Sequence, residues 1–243
     1  FHNLAYYPGR SIAQVDSSWW VAQAYSPEIS VIENGELKTE IAVGPWPVAL
    51  AVHPDGETVY VATRANDSVG VVSVADQKIV KSIHVGDEPT HVVVHPDGDR
   101  AFVALNTEGV IAVIDLETDT VTETWPAVED VSAFDLSPDG TRIVALAHRS
   151  GRPERTPLES DDPADEVDGV LIDTTSGTVL TEYMDIGGII NSVLFAEDGD
   201  SFYFTTTLGD NGQSLTSGLA FEHRVRRIET SSGEILADAD LSR

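Results

Sequence analysis

The densest run of reactive side chains lies at His148, Arg149, Arg152 and Arg155, followed by Glu159, Asp161, Asp162, Asp165, Glu166 and Asp168. Three of the eleven arginines fall within seven positions of an otherwise acidic protein. Guanidinium groups grip carboxylates and phosphates bidentately, so this run is a candidate anion site. Pairing with the acidic stretch downstream is the alternative. That stretch offers oxygens of the kind Ca2+ takes, but Asp161, Asp162 and Asp165 lack the EF-hand spacing and its turn glycine. The expectation is therefore no metal and no cofactor in this chain. His223 and Arg224 close a second candidate segment, a Gly/Ser/Thr-rich run over 208–220 with the composition of a lid or of a surface loop. Arg226 and Arg227 follow inside a strand-like run, where one of them calls for a carboxylate partner. Trp46, in Gly44-Pro45-Trp46-Pro47, is either an interface anchor or a packing residue. No Gly-x-Ser-x-Gly, His-Glu-x-x-His or phosphate loop is present. A site assembled from separate loops stays open.

The elements that position these residues come from a repeat. Residues 47–88 begin PVALAVHPDGETVYVATR, and residues 89–130 begin PTHVVVHPDGDRAFVALN. Each unit reads as apolar strand, Pro-Asp-Gly turn, apolar strand, polar loop and two more strands. A period of about 40–45 residues with four strands marks a β-propeller blade. Asp55, Asp97, Asp139 and Asp198 each precede a glycine, at spacings of 42, 42 and 59 residues. Asp and Gly both tolerate positive φ, which predicts a tight hairpin at each. A weaker copy has strands at 11–15, 19–22 and 29–32. The expectation is an all-β single domain over 1–243, with blades at about 5–46, 47–88, 89–130, 131–188 and 189–243.

With strands a to d counted from the channel outward, a–b and c–d turns share one face, and b–c and d–a loops share the other. His53 and His95 occupy one repeat position on the first face and are expected to be structural. The second face carries Trp46, with His91 near the channel mouth. From Asp97 to Asp115 is 18 residues, whereas Asp139 to Asp173 is 34 and Asp198 to Glu229 is 31. Both additions fall between strands b and c, placing two long loops on one face of adjacent blades, where long structured loops tend to carry function. Trp19 and Trp20 are expected to serve packing.

Ile114-Asp115 with Glu117–Val121, Ile172-Asp173 with Thr174–Val179, and Tyr60-Val61-Ala62-Thr63 together resemble the YVTN family of β-propeller repeats. That resemblance implies a usually seven-bladed ring and an extracytoplasmic protein. It further implies a scaffold docking a partner such as a redox protein or cofactor domain, or alternatively an enzyme, either a lactonase-like hydrolase or the large subunit of a periplasmic dehydrogenase. Five repeats against seven predict that further blades complete the ring; a closed five-bladed ring is the rival.

Composition narrows the partners. The chain carries 41 acidic against 14 basic residues, a net charge of −27. Such a surface repels nucleic acid and anionic membranes. With three lysines only, the balance fits adaptation to high salt or an ordinary acidic secreted protein. No cysteine is present, which removes disulfides, thiolate chemistry, Cys-ligated zinc and covalent c-type haem attachment. No apolar run approaches the roughly 18 residues that span a bilayer. A start at Phe1 without Met is expected of a processed or excised form.

Overall fold

The computed structural model describes residues 10–147, 167–184, 186–209 and 221–241, which form two compact units, Phe1–Glu129 and Asp130–Arg243. The first unit holds three four-stranded antiparallel sheets. These are β1 (Ile12–Val15), β2 (Ser18–Ala22), β3 (Glu28–Glu33) and β4 (Glu36–Ala42); then β5 (Pro47–Val52), β6 (Thr58–Thr63), β7 (Ser68–Ser73) and β8 (Lys78–His84); then β9 (Pro89–Val94), β10 (Arg100–Leu105), β11 (Val110–Asp115) and β12 (Thr120–Pro126). The second unit holds two: β13 (Val131–Leu136), β14 (Arg142–Ala147), β15 (Gly169–Asp173) and β16 (Val179–Tyr183); and β17 (Ile189–Phe195), β18 (Ser201–Gly209), β19 (Phe221–Glu229) and β20 (Ile235–Asp240). One 3-10 turn, Arg64–Asn66, is the sole helical element among the described residues. No helix there is long and apolar enough to cross a membrane.

Each sheet is a meander whose strands pair in chain order. In the second sheet the runs of Val, Tyr and Ala in β6 and β7 are buried on both faces because the first and third sheets stack on it. Between the first and second sheets lie Trp20, Ile29, Val31 and Ile41 against Leu50, Val59, Val61 and Val72. Between the second and third lie Ala49, Tyr60, Val69 and Ile83 against Val92, Ala101, Val103 and Ile114. In the second unit, Val144, Leu146, Leu171 and Tyr183 pack on Ile190, Phe202, Phe204 and Ile228.

The Asp-Gly turns differ from the expected hairpin in one respect. Gly56, Gly98, Gly140 and Gly199 take φ of +70 to +77°, but Asp55, Asp97, Asp139 and Asp198 are not left-handed. The glycine N–H instead closes a four-residue turn on the carbonyl three residues back, as from Gly56 to His53 at 2.9 Å. The aspartate acts through its carboxylate: Asp55 accepts from the Glu57 N–H at 2.8 Å, and Asp139 from the Thr141 N–H at 3.0 Å. This is a type I turn followed by a left-handed glycine, with an Asx-type bond holding the exit.

A second regularity lies at the other end of the first strands. Pairing skips Val48, Thr90, Ser132 and Asn191, so one bulge recurs in four blades. The Thr90 and Ser132 hydroxyls donate to the carbonyls of Ala104 and Leu146, each at 3.4 Å. A bulge re-aims the residue after it, and His91 is thereby buried, its Nδ1 3.0 Å from Thr90 Oγ1. His91 holds the position of Ala49, a core residue of the preceding blade. The packing role expected of Trp19 is corrected. Trp20 is fully buried, but Trp19 points to the opposite face of β2 and is 47% exposed.

Candidate functional site

The site begins with a backbone position. Immediately before the first strand of three successive repeats stand Trp46, Glu88 and Asp130, with φ of +57, +52 and +54°. A non-glycine residue there is uncommon and points to a constraint from function or packing. The second-strand end secures the conformation, since the Arg64 N–H donates to the Trp46 carbonyl at 2.9 Å and the Asn106 N–H to the Glu88 carbonyl at 3.1 Å. Trp46 is thus held rigidly at its backbone while its indole is 48% exposed.

From Arg64 a polar lattice ties loops of the first unit together. The buried Arg64 guanidinium pairs with Glu88 at 2.5 Å. Thr107 Oγ1 donates to the same Glu88 Oε2 at 3.2 Å. The Glu88 N–H donates to Asp67 at 3.2 Å, and the Asp87 N–H to Glu108 at 3.1 Å. The Arg64–Glu88 contact, charge-assisted and buried on the arginine side, is the strongest of these and fixes the two loops against each other. This edge of the first unit brings Asp67, Asp87, Glu88 and Glu108 into one set of loops, with the Arg64 guanidinium already engaged by Glu88. Such an edge suits an apolar or cationic group better than an anion. Arg64, Glu88 and Thr107 are absent from the sequence candidates; the signal that could have found them is that Glu88 stands one 42-residue period after Trp46.

The other candidates fall elsewhere. His148, Arg149, Arg152, Arg155, Asp161, Asp162 and Asp165 lie outside the described residues, so the expected anion site and the expected side-by-side placement of the two long loops do too. The connections that contain them join β14 to β15 and β18 to β19, both second strand to third strand. His223 is exposed on β19, its Nδ1 3.0 Å from Thr207 Oγ1 on the paired strand. Arg224 Nη1 and Arg226 Nε both reach Asp238 Oδ2, at 3.1 and 3.2 Å, and Arg226 also donates to the Ile186 carbonyl. Asp238 is the carboxylate that a strand-borne arginine is expected to need. Arg227 donates to Ser201 Oγ at 2.9 Å, with its guanidinium 5.5 Å from the Tyr203 ring centre. Trp46 belongs to the first unit and His223 to the second. Among the described residues, no group of three or more His, Asp or Glu is arranged to hold a metal ion.

His53 and His95 serve the turns. Each accepts, through Nδ1, the backbone N–H two residues on, at 3.3 and 3.2 Å. His53 Nε2 also meets the Gly98 carbonyl of the next blade at 2.9 Å. Hydrogen bonding from the Glu57 N–H, with the His53 imidazole alongside, holds the Asp55 carboxyl below the usual carboxylate range against the effect of burial. Tyr60 beneath it is pushed up to about 12 by burial and by the carboxylates of Asp119 and Asp55.

Comparison with known proteins agrees with this architecture. A family model described as Lactonase, 7-bladed beta-propeller, matches residues 28–122. The solved structure of Kuenenia stuttgartiensis hydrazine synthase is similar at 26% identity and a TM-score of 0.82, over 99% of this chain and 68% of that one. No curated protein matches. In all, 1513 chains of solved structures match, so the likeness speaks for a widely used architecture rather than for one activity. The chain is all-β and is built of four-stranded β-propeller blades.

Proposed function

We propose that this protein is a propeller-type binding module whose protein partner docks on the edge of the first unit that carries Trp46 and that unit's second-to-third-strand connections. The observation that carries the proposal is Trp46 itself: an exposed indole on a backbone held in a left-handed conformation. A large aromatic held this way loses little entropy on binding, which is how interface anchors work. The carboxylates of the loops at Asp67, Asp87, Glu88 and Glu108, together with the net charge of −27, favour a partner with a basic surface and would speed its encounter at low salt. A redox protein or cofactor domain fits, in keeping with the YVTN-like repeat phrases and the likeness to a synthase. The same resemblance supports an extracytoplasmic location. The Lactonase match over 28–122 favours a second reading, a lactonase-like hydrolase.

The test is native mass measurement of the purified protein with identification of any co-purifying chain, repeated on Trp46→Ala. The module reading expects a stoichiometric partner that the variant loses while its fold is kept. Saturable hydrolysis of a lactone by the protein alone, unchanged in Trp46→Ala, would favour the second reading.

A further inference from the structure

We propose that Asn34, in the two-residue turn Asn34-Gly35 between β3 and β4, is a self-modification site whose carboxamide converts to aspartate and isoaspartate without an enzyme. The inference is independent of the docking reading.

The chemistry needs a backbone nitrogen that can reach the side chain before it. The Gly35 nitrogen loses its proton and attacks Asn34 Cγ. The new C–N bond closes a five-membered imide, the bond from Cγ to the side-chain nitrogen breaks, and ammonia leaves. Water then opens the imide. Cleavage at Cγ restores the backbone and leaves aspartate; cleavage at the main-chain carbonyl routes the backbone through the side chain and leaves isoaspartate.

The turn supplies what this reaction requires. β3 and β4 close on Glu33 opposite Glu36, and Asn34 and Gly35 have φ of +53 and +81°, a type I′ turn. The cross-strand bonds of such a turn belong to its flanking residues, so the Gly35 N–H is not committed to them. Both residues are exposed, and a Cβ at Gly35 would meet nothing within 4 Å, so the peptide between them has room to swing toward the Asn34 side chain. The other described asparagines, Asn66, Asn106 and Asn191, precede Asp67, Thr107 and Ser192, whose Cβ atoms crowd the nitrogen that must attack. Asn211-Gly212 lies outside the described residues.

The four Asp-Gly turns have the same glycine but are closed to the parallel isomerisation. Gly56, Gly98, Gly140 and Gly199 each commit the N–H to the carbonyl three residues back, at 2.9 Å. The carboxylates of Asp55, Asp139 and Asp198 hold the N–H two residues on, at 2.8, 3.0 and 3.0 Å. An ionised carboxylate resists attack, and the Glu57 N–H holds Asp55 below the usual carboxylate range. The neutral Asn34 carboxamide has no such protection. Its isoaspartate product lengthens the backbone by one carbon, which loosens the closure at Glu33 and Glu36, whereas aspartate keeps the turn and adds a negative charge beside them.

Trypsin cutting after Arg10 and Lys38 releases residues 11–38, whose sole asparagine is Asn34. After incubation of the folded protein in mildly alkaline buffer, that peptide should gain the mass difference between a carboxamide and an acid. It should also split into two species of equal mass, one of them methylated by an isoaspartyl methyltransferase. The rate should lie within about tenfold of that in urea, because a hairpin tip opens at little cost, whereas isomerisation at the Asp-Gly turns should be slower than in urea by about a hundredfold or more. Asn34→Gly keeps a type I′ turn and should leave the peptide unchanged. Conversion at Asn34 in urea but not in the folded protein would overturn the proposal. So would equal rates at Asn34 and Asn66 in the folded protein, or a mass gain in the 11–38 peptide of Asn34→Gly, which would lie on Gln14 or Gln23 instead.

Discussion

Trp46 concentrates a conflict between backbone and side chain. A left-handed conformation costs an L-residue roughly 1–2 kcal/mol, and the residue before a proline ordinarily stays extended, yet φ is +57° immediately before Pro47. Trp46→Gly removes that cost and adds about 0.5–1 kcal/mol of chain entropy. Urea unfolding of the variant should therefore stay within about 1 kcal/mol of the parent, while partner retention is lost. A large loss of stability with the partner kept would make Trp46 a packing residue. Titration offers a second test at this scale. Hydrogen bonds from Thr118 hold Asp115 below the usual carboxylate range. Burial alone would raise Asp139, but bonds from Ser137 and Thr141 outweigh it and leave it lowered. With Asp55, these groups have folded values below their unfolded ones, so they stabilise the fold above about pH 3.9. That stability is lost as pH falls through the folded values. Tyr60 has the opposite sign: raised to about 12, its stabilisation is present below about pH 10 and lost as pH climbs toward 12. Thermal melts should hold level between these limits and decline outside them. Tyr60→Phe should remove part of the alkaline decline, and an unaltered alkaline limb in that variant would contradict the assignment.

The turn is the element where local sequence and inter-blade packing meet. Gly98 is required twice: its φ is +77°, and a Cβ there would stand 2.8 Å from His53 Nε2 of the preceding blade. Gly98→Ala should cost about 1–2 kcal/mol from the backbone alone, with the clash added. His53→Ala should cost about 1 kcal/mol for the lost hydrogen bond. The double variant should lose less than the sum, because removing the imidazole relieves the clash but not the backbone strain. Strict additivity in urea titrations would mean that the clasp does not form. This element also shows how much of the fold is legible in the chain. Alternating apolar runs and Asp-Gly pairs announce strands and turns because both signals are local, and β3 at Glu28–Glu33 lies within two residues of its expected place even in the weakest copy. The aspartate's part in the turn is ambiguous in sequence because positive φ and Asx-type bonding draw on the same residue type. The orientation of His91 is hidden because a bulge at Thr90 has no compositional mark, yet it changes which way the next side chain points. Trp46 stands out through its Pro and Gly punctuation. The Arg64–Glu88 pair does not, since its members are 24 residues apart and meet only when two loops fold side by side.

For the whole molecule, charge outweighs every other surface property. With 41 acidic and 14 basic residues, 27 carboxylates have no basic counterpart. Each lysine already has a carboxylate within reach: Lys38 at 2.6 Å from Glu33, Lys78 at 3.8 Å from Asp76 and Lys81 at 3.0 Å from Asp119. Added salt weakens these exposed pairs, each worth about 0–1 kcal/mol. It also weakens the more numerous repulsions among the remaining acids, whose range is a Debye length of about 10 Å at 0.1 M and about 3 Å at 1 M. Arg64–Glu88 is shielded by burial on the arginine side and should change least. Repulsions outnumber attractions, so the thermal midpoint should rise between about 0.05 and 0.5 M NaCl. Screening saturates once the Debye length is shorter than the spacing between charges, and the curve should then flatten. Exclusion of salt from apolar surface would instead give a climb that continues into the molar range and is steeper with sulfate than with chloride. A titration of the midpoint with both salts separates the two. A rise complete by about 0.5 M and alike for both anions at equal ionic strength assigns it to carboxylate repulsion. A flat profile would show that local pairing has already neutralised the surface and would remove the case for adaptation to high salt.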